Sequence, residues 1–203
     1  MGWSNGGVTR VTLGALSVFA ASAFAAFPAH ADVMNVTVWQ GNGSGSIADP
    51  DEQALPSNPL KLHVPIASFN YTGDIQWNVG TQSLNFLDTF VGTGGGSVSN
   101  CVGSGCASSS ALGHVSLSSS GFDLTTLFEI VFTTNGPVSG SIAHDDGASI
   151  FDGSDTVSFL NSAFPTAEIV DNFSLPSAGT YDLWYIEANS APSVLSISPA
   201  ISS

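Results

Sequence analysis

From about residue 33 onward, hydrophobic residues come in short runs, each broken within a few positions by Gly, Ser, Thr, Asn or Pro. Several runs alternate cleanly: Val36 and Val38 against Asn35 and Thr37, Val115 and Leu117 against Ser116 and Ser118. A period of two marks a strand with one buried face. The runs favour β-branched and aromatic side chains, and helix signals are scarce. Strands are predicted at 34–40, 60–70, 75–79, 83–91, 113–118, 127–133, 138–144, 149–151, 156–160, 169–174, 179–187 and 194–198. That rhythm predicts an all-β fold, an antiparallel β-sandwich of jelly-roll-like form. Residues 41–59 lack periodicity and contain Asp49-Pro50-Asp51-Glu52, which reads as a long surface loop. Residues 92–110, rich in Gly and Ser, read as a second loop of low complexity. No fixed-period repeat appears, which argues against a solenoid or propeller.

The amino-terminal stretch departs from this pattern. Arg10 precedes an apolar and small-residue run over 11–27, and Ala29-His30-Ala31 follows Pro28. A positive start, an apolar middle and a small-x-small exit compose a cleavable secretory signal. The run is long enough to cross a bilayer, but its Ala and Ser content and the break at Pro28 favour cleavage. Residues 1–31 are therefore expected to be removed, leaving 32–203 as one secreted, extracellular domain.

Charge narrows the partners. The formal net charge is −14, and beyond the signal Lys61 is the only Lys or Arg among sixteen acidic residues. Nucleic-acid backbones and anionic membrane surfaces are bound through Lys and Arg, so both functions are excluded on charge. Hydrophobic residues make up 43% of the chain, enough for a packed core rather than a disordered acidic coil. Cys101 and Cys106 are the only cysteines. In an oxidising compartment they are expected to form a disulfide, since two thiols without a nearby His make a poor zinc site.

The densest chemistry lies between residues 141 and 155, where Asp145, Asp146, Asp152 and Asp155 gather and Gly147 and Gly153 each follow an Asp. Asp-Gly after a short apolar run signals a tight turn. Turns of this kind offer carboxylate and carbonyl oxygens, the donors that hard cations such as Ca²⁺ require. Adjacent residues of a strand point to opposite faces, so for Asp145 and Asp146 to reach one ion the backbone must bend between them, with an unusual peptide geometry there. Solvated hairpin turns without an ion fit the spacing equally well.

Residues 138–197 carry a more specific order of signals: His144-Asp145-Asp146-Gly147, then Ile150-Phe151-Asp152-Gly153, Pro165-Thr166, Leu175, Gly179, Tyr181, Leu183, Tyr185, Glu187 and a last apolar run at Val194, Leu195 and Ile197. This third of the chain resembles the protective-antigen-type β-sandwich superfamily, which includes fibro-slime domains and flocculin-type lectins. It is most similar to small secreted bacterial members that usually end in a Pro-Glu-Pro sorting tail, a tail that residues 194–203 do not contain. In the lectin branch two consecutive Asp residues hold a Ca²⁺ whose open positions take sugar hydroxyls, and an Asn after the penultimate strand completes the site. The resemblance assigns the pair to Asp145 and Asp146, with Asn189 as the nearest match to the Asn. With Asp152, these are the candidate metal ligands; Asp145, Asp146 and Asn189 are the candidate carbohydrate-binding residues. Two departures stand out. The run 179–185 is about two residues shorter than the family's strand, and Ala191-Pro192-Ser193 stands where the lectins place a sugar-facing aromatic.

Other residues favour plainer roles. His144 beside the Asp pair is expected to hydrogen-bond at a strand end, because transition-metal sites gather several His or Cys. His63 and His114 are expected in strands as structural residues. Of Trp39, Trp77 and Trp184, Trp77 between Gln76 and Asn78 is expected to be the most exposed, and Glu187 is left between a backbone partner and the ion. Asn35, Asn70 and Asn172 head glycan-acceptor sequons that are incidental in a bacterial setting. No Gly-x-Ser-x-Gly elbow, His-Glu-x-x-His or phosphate loop occurs, so no catalytic residue is assigned. Three functions follow in order: a calcium-dependent lectin- or adhesin-like module binding extracellular polysaccharide at the cell surface or in a biofilm matrix, a structural matrix protein with a purely structural ion, and a glycoside hydrolase, whose two acids would leave no local trace.

Overall fold

In a computed structural model of the chain, residues 1–2, 33–43 and 45–201 are described; the expected signal, from its third residue on, lies outside them. The described chain runs β1 (Val33–Gly41), β2 (Ala67–Thr72), β3 (Gln76–Val79), α1 (Leu87–Gly92), β4 (Ser97–Val102), β5 (Cys106–Ser108), β6 (Ala111–Leu112), β7 (Thr125–Thr134), β8 (Val138–Asp145), β9 (Ala148–Asp152), β10 (Ser158–Ser162), β11 (Ile169–Leu175), β12 (Gly179–Glu187) and β13 (Ser193–Ser198). A seven-stranded sheet in the order β10-β9-β12-β7-β1-β2-β4 faces a four-stranded sheet in the order β11-β8-β13-β3, and β5-β6 form a separate ribbon. All pairings are antiparallel. The expected β-sandwich is the observed fold.

Alternation explains the core. Val36, Val38, Phe128, Ile130, Leu183 and Tyr185 turn inward from the larger sheet and meet Ile142, Leu195, Ile197 and Trp77 from the smaller one. Trp77 is fully buried rather than exposed, edge-on to Tyr71 with ring centroids 5.1 Å apart and to Phe90 at 5.6 Å. Its neighbours Gln76 and Asn78 are the exposed residues of the same strand; polar flanks mark the outer face of a strand and say nothing against the burial of the residue between them.

Several expectations change. Residues 87–92 form a helix where a strand was predicted: Leu87, Phe90 and Val91 stand at the i, i+3, i+4 spacing of one helical face and plug the core. The strand expected over 60–70 begins only at Ala67, because Pro59–Leu62 takes a tight helical turn. The stretch 113–118 is irregular apart from one bridge, Phe86 to Ser116. His63 and His114 consequently stand outside the strands and exposed, His114 stacking on Phe86 at 3.7 Å between ring centroids. The supposed second loop, 92–110, contains β4 and β5, and the Cys101–Cys106 disulfide joins them. β4 is an edge strand with little buried surface, so its composition looks like that of a loop.

The segment 41–59 is not a free surface loop. With the turn that follows, it forms a strap over the outer face of the larger sheet, where Ala54 and Leu60 pack against Trp39, Leu127, Trp184 and Ile186. Burial of two or three such side chains supplies several kcal/mol and leaves β12 covered on both faces. No helix among the described residues is long and apolar enough to cross a membrane.

Candidate functional site

The β8–β9 hairpin places the acidic pair at one end of the sandwich. β8 ends at Asp145, Asp146 and Gly147 make the turn, and β9 starts at Ala148. The peptide between Asp145 and Asp146 is cis, and both side chains line one open cleft of about 370 Å3. Asn189, two residues beyond β12, lines the same cleft. Pro165 and Thr166 from the β10–β11 connection and Phe122 close its other sides. Gly147 is required here: a Cβ would overlap the carbonyl of Ala163, which the bare glycine lets pass close by.

The two acids are held from behind by main-chain amides. Asp146 Oδ2 accepts from the amides of Ala188 at 2.8 Å and Asn189 at 3.2 Å, and its carboxylate also accepts from the Thr166 amide. Asp145 accepts from the amide of Glu168. With 7% and 5% of their surfaces exposed, Asp145 and Asp146 are largely withdrawn from water. Burial pushes both carboxyl groups up to about 6; at Asp145 the neighbouring Asp146 charge adds to this, and the amide bonds only partly offset it. Among the described residues no Lys or His forms an ion pair with either acid, and the ring nitrogens of the adjacent His144 meet the Asp146 carbonyl at 2.6 Å and Asp171 at 3.1 Å instead. His144 is fully buried and serves as the strand-end hydrogen-bonding residue its sequence setting suggested.

Asn189 Oδ1 accepts from the Gly121 amide at 3.1 Å, and a carbonyl oxygen retains a second lone pair for another partner. The segment after it is fixed by Gln82, whose Oε1 accepts from the Ala191 amide at 3.0 Å, and by Ser118, whose Oγ accepts from the Ser190 amide at 2.9 Å. Glu187 turns inward beneath the site. It accepts from Ser118 Oγ at 2.6 Å, lies 3.0 Å from the Tyr185 hydroxyl, and is raised well above the usual carboxylate range by burial. The Tyr185 hydroxyl in turn donates to the Asp145 carbonyl.

Asp152 stands apart from the cleft. Its carboxylate closes the β9–β10 turn, accepting from Ser154 Oγ and from the amides of Thr156 and Val157 at 2.7, 2.7 and 2.9 Å; those bonds hold it down at about 2. Asp155 meets Lys61 at 3.8 Å and the Trp184 indole at 3.2 Å. The sequence cluster therefore divides, with one acidic pair in the cleft and the other acids closing a turn and an outer-face contact. The amides of Thr166 and Glu168 left no trace in the sequence, since any residue but Pro supplies them.

The groups around the cleft that could ligate an ion are oxygens, the carboxylates of Asp145 and Asp146 and the amide oxygen of Asn189, a set suited to a hard cation. Among the described residues no three His, Cys, Asp or Glu side chains converge on one point, so the acids alone would leave much of such an ion's coordination shell to neutral oxygens and to a bound molecule.

No protein-family model matches the chain, and no curated protein matches it. Among solved structures, the PA14 domain of the antifreeze protein MpAFP has a TM-score of 0.50 with 10% identity, covering 82% of this chain and 80% of that one. A domain described as the PA14 sugar-binding domain from an RTX adhesin has a TM-score of 0.48 with 9% identity, over 81% of this chain and 86% of that one. At such identity the first likeness establishes a shared architecture: this chain has a β-sandwich fold like that of a PA14 domain.

Proposed function

We propose that this chain is a secreted, non-catalytic carbohydrate-binding module of the protective-antigen-type superfamily, whose cleft at Asp145, Asp146 and Asn189 takes an extracellular glycan with the help of Ca²⁺. The observation that carries this reading is the convergence of two sequence-adjacent, largely buried acids on one open cleft shared with Asn189. When bound, a calcium ion would neutralise the pair and offer its remaining coordination positions to sugar hydroxyls. The chain's own residues do the rest. The amides of Thr166, Glu168 and Ala188 orient the carboxylates, and the hydrogen bonds that the Ser190 and Ala191 amides donate to Ser118 and Gln82 fix that segment before a ligand arrives. A cleft this open gives weak monovalent affinity, which an adhesin or matrix component multiplies by presenting many copies. The sandwich likeness to PA14 domains supports the scaffold of this reading; its ligand rests on the cleft.

A glycan array probed with purified protein in millimolar Ca²⁺, and again with chelator, tests it. At least one neutral glycan should be retained in calcium, released by chelator and not bound by Asp145→Asn/Asp146→Asn. Calcium that stabilises the protein while no glycan signal depends on it would refute the lectin reading and leave the ion a structural role.

A further inference from the structure

The segment that clamps the acidic pair also carries an exposed aromatic ring. Phe164 is 55% exposed and precedes Pro165 and Thr166, both of which line the cleft. Only Pro165 separates Phe164 from Thr166, whose amide bonds Asp146, so their α-carbons lie at most about 7 Å apart. A second open cleft of about 440 Å3 adjoins the first, sharing Pro165 and Thr166 with it, and is lined by Phe164, Ile169 and Asn161. Ile169 is 38% exposed. The two clefts thus meet across a Pro-Thr ridge, one acidic and the other apolar with an amide at its side.

Phe164 is displayed on a rigid mount. The carbonyl of Ala163 accepts from the Ala54 amide at 2.9 Å and lies against the bare α-carbon of Gly147. Ala163 is itself 2% exposed within the strap core, and Pro165 confines the residue before it to extended backbone. With 55% of its surface in water on a fixed backbone, this large aromatic forgoes much of the stabilisation that burial would bring. A pyranose has a hydroxylated rim and a face of C–H groups; the rim suits carboxylates and a cation, and the face suits an aromatic ring.

We infer that Phe164 and Ile169 form a second sugar subsite beside the acidic cleft, so that the module recognises a linear glycan of two or more residues rather than a terminal monosaccharide. This inference rests on the carbohydrate-binding reading of the first cleft. One sugar's hydroxyls face Asp145 and Asp146, the next ring crosses the Pro165–Thr166 ridge and lays its apolar face on Phe164, and Asn161 offers the hydrogen bonds of a side-chain amide.

The test uses the full exported protein and an array of neutral mono-, di- and longer oligosaccharides in calcium, with wild type, Phe164→Ala, Phe164→Trp and Asp145→Asn/Asp146→Asn compared. Phe164→Ala should lose about 5- to 13-fold in affinity for oligosaccharides, as expected for one stacking contact of about 1–1.5 kcal/mol, while its calcium-induced melting shift stays that of wild type. Phe164→Trp should restore oligosaccharide binding, and the preference for oligosaccharide over monosaccharide should vanish in Phe164→Ala. If Phe164→Ala binds every oligosaccharide as wild type does while the double Asn variant binds none, the second subsite is refuted and the first cleft stands. If wild type retains no glycan in calcium, both fall together.

Discussion

Millimolar Ca²⁺ should raise the melting temperature at pH 7.5 by about 5–10 °C, and Asp145→Asn/Asp146→Asn should abolish the rise. The size follows from linkage: an ion at about a hundred times its dissociation constant stabilises the folded state by about 2.7 kcal/mol, and each kcal/mol moves a domain of this size by about 2–4 °C. The direction follows from the cleft. Two adjacent carboxylates are withdrawn from water with only amide donors behind them, and a divalent cation removes both the burial penalty and the mutual repulsion. In the absence of calcium the double variant should be at least as stable as wild type, because each neutral side-chain amide replaces a charge that the fold does not pair. Differential scanning fluorimetry with and without chelator checks both halves. A double variant that responds to calcium as wild type does would move the ion elsewhere.

Without calcium, the protein should lose stability as pH rises from about 4 to about 7. Asp145, Asp146 and Asp182 are each raised to about 6 and Glu52 to about 7, burial being the largest cause in every case. The Asp145–Asp146 repulsion adds at the cleft, Asp155 adds at Asp182, and Asp51, Asp146 and Asp49 add at Glu52. A carboxyl whose folded pKa exceeds its unfolded value holds its proton longer in the folded state. Its penalty is therefore absent below the unfolded pKa, grows through the interval, and is complete above the folded pKa. Discounted for solvent contact, each group costs up to about 2 kcal/mol at pH 7.5. Asp152 and Asp171, held low by turn hydrogen bonds and by His144 respectively, act in the opposite sense and only below the ordinary carboxylate range. Calcium affinity should rise over the same interval, since the ion competes with protons for the pair.

Glu52 provides the sharpest single-site check on that profile. It is a fully buried residue of the strap, Thr125 Oγ1 donates to its Oε2 at 2.7 Å, and its Oε1 has no partner among the described residues. That unpartnered oxygen and the Phe122 carbonyl both crowd the bare α-carbon of Gly43, so an ionised Glu52 faces another acceptor. Glu52→Gln should raise the melting temperature by a few degrees at pH 8, about 1–2 kcal/mol, and by little at pH 5. Equal shifts at both values would mean that Glu52 does not titrate in this range.

Much of this fold could be read from alternation. The strands at 34–40, 127–133, 138–144, 169–174, 179–187 and 194–198 all have structural counterparts: β1 buries one face and shows it as a period of two, while β7 and β12, buried on both faces, show near-continuous apolar runs. Elements whose period is hidden are not legible in this way. α1 has only Leu87, Phe90 and Val91 to mark its helical face, too short a pattern to outweigh the surrounding strand signals. The strap buries Glu52, Ala54 and Leu60 without any repeat, since a segment packed irregularly across a sheet need not follow the period of either element. The order of motifs in the last third of the chain singles out Asp145, Asp146 and Asn189, and the fold brings these three to one cleft. Asp152 is close to them in sequence but closes the β9–β10 turn outside the cleft. The backbone donors at Thr166, Glu168 and Ala188 were beyond reach, because the amide that orients a carboxylate is chosen by the path of the chain.

Diffraction data from crystals grown in calcium, with anomalous differences recorded, put the central claim to its most direct trial. The expected result is one strong anomalous peak in the cleft, about 2.3–2.6 Å from oxygens of both Asp145 and Asp146, with Asn189 in the same shell and part of that shell open to solvent. An empty cleft at millimolar calcium, its two acids turned apart and hydrated by water alone, would contradict it.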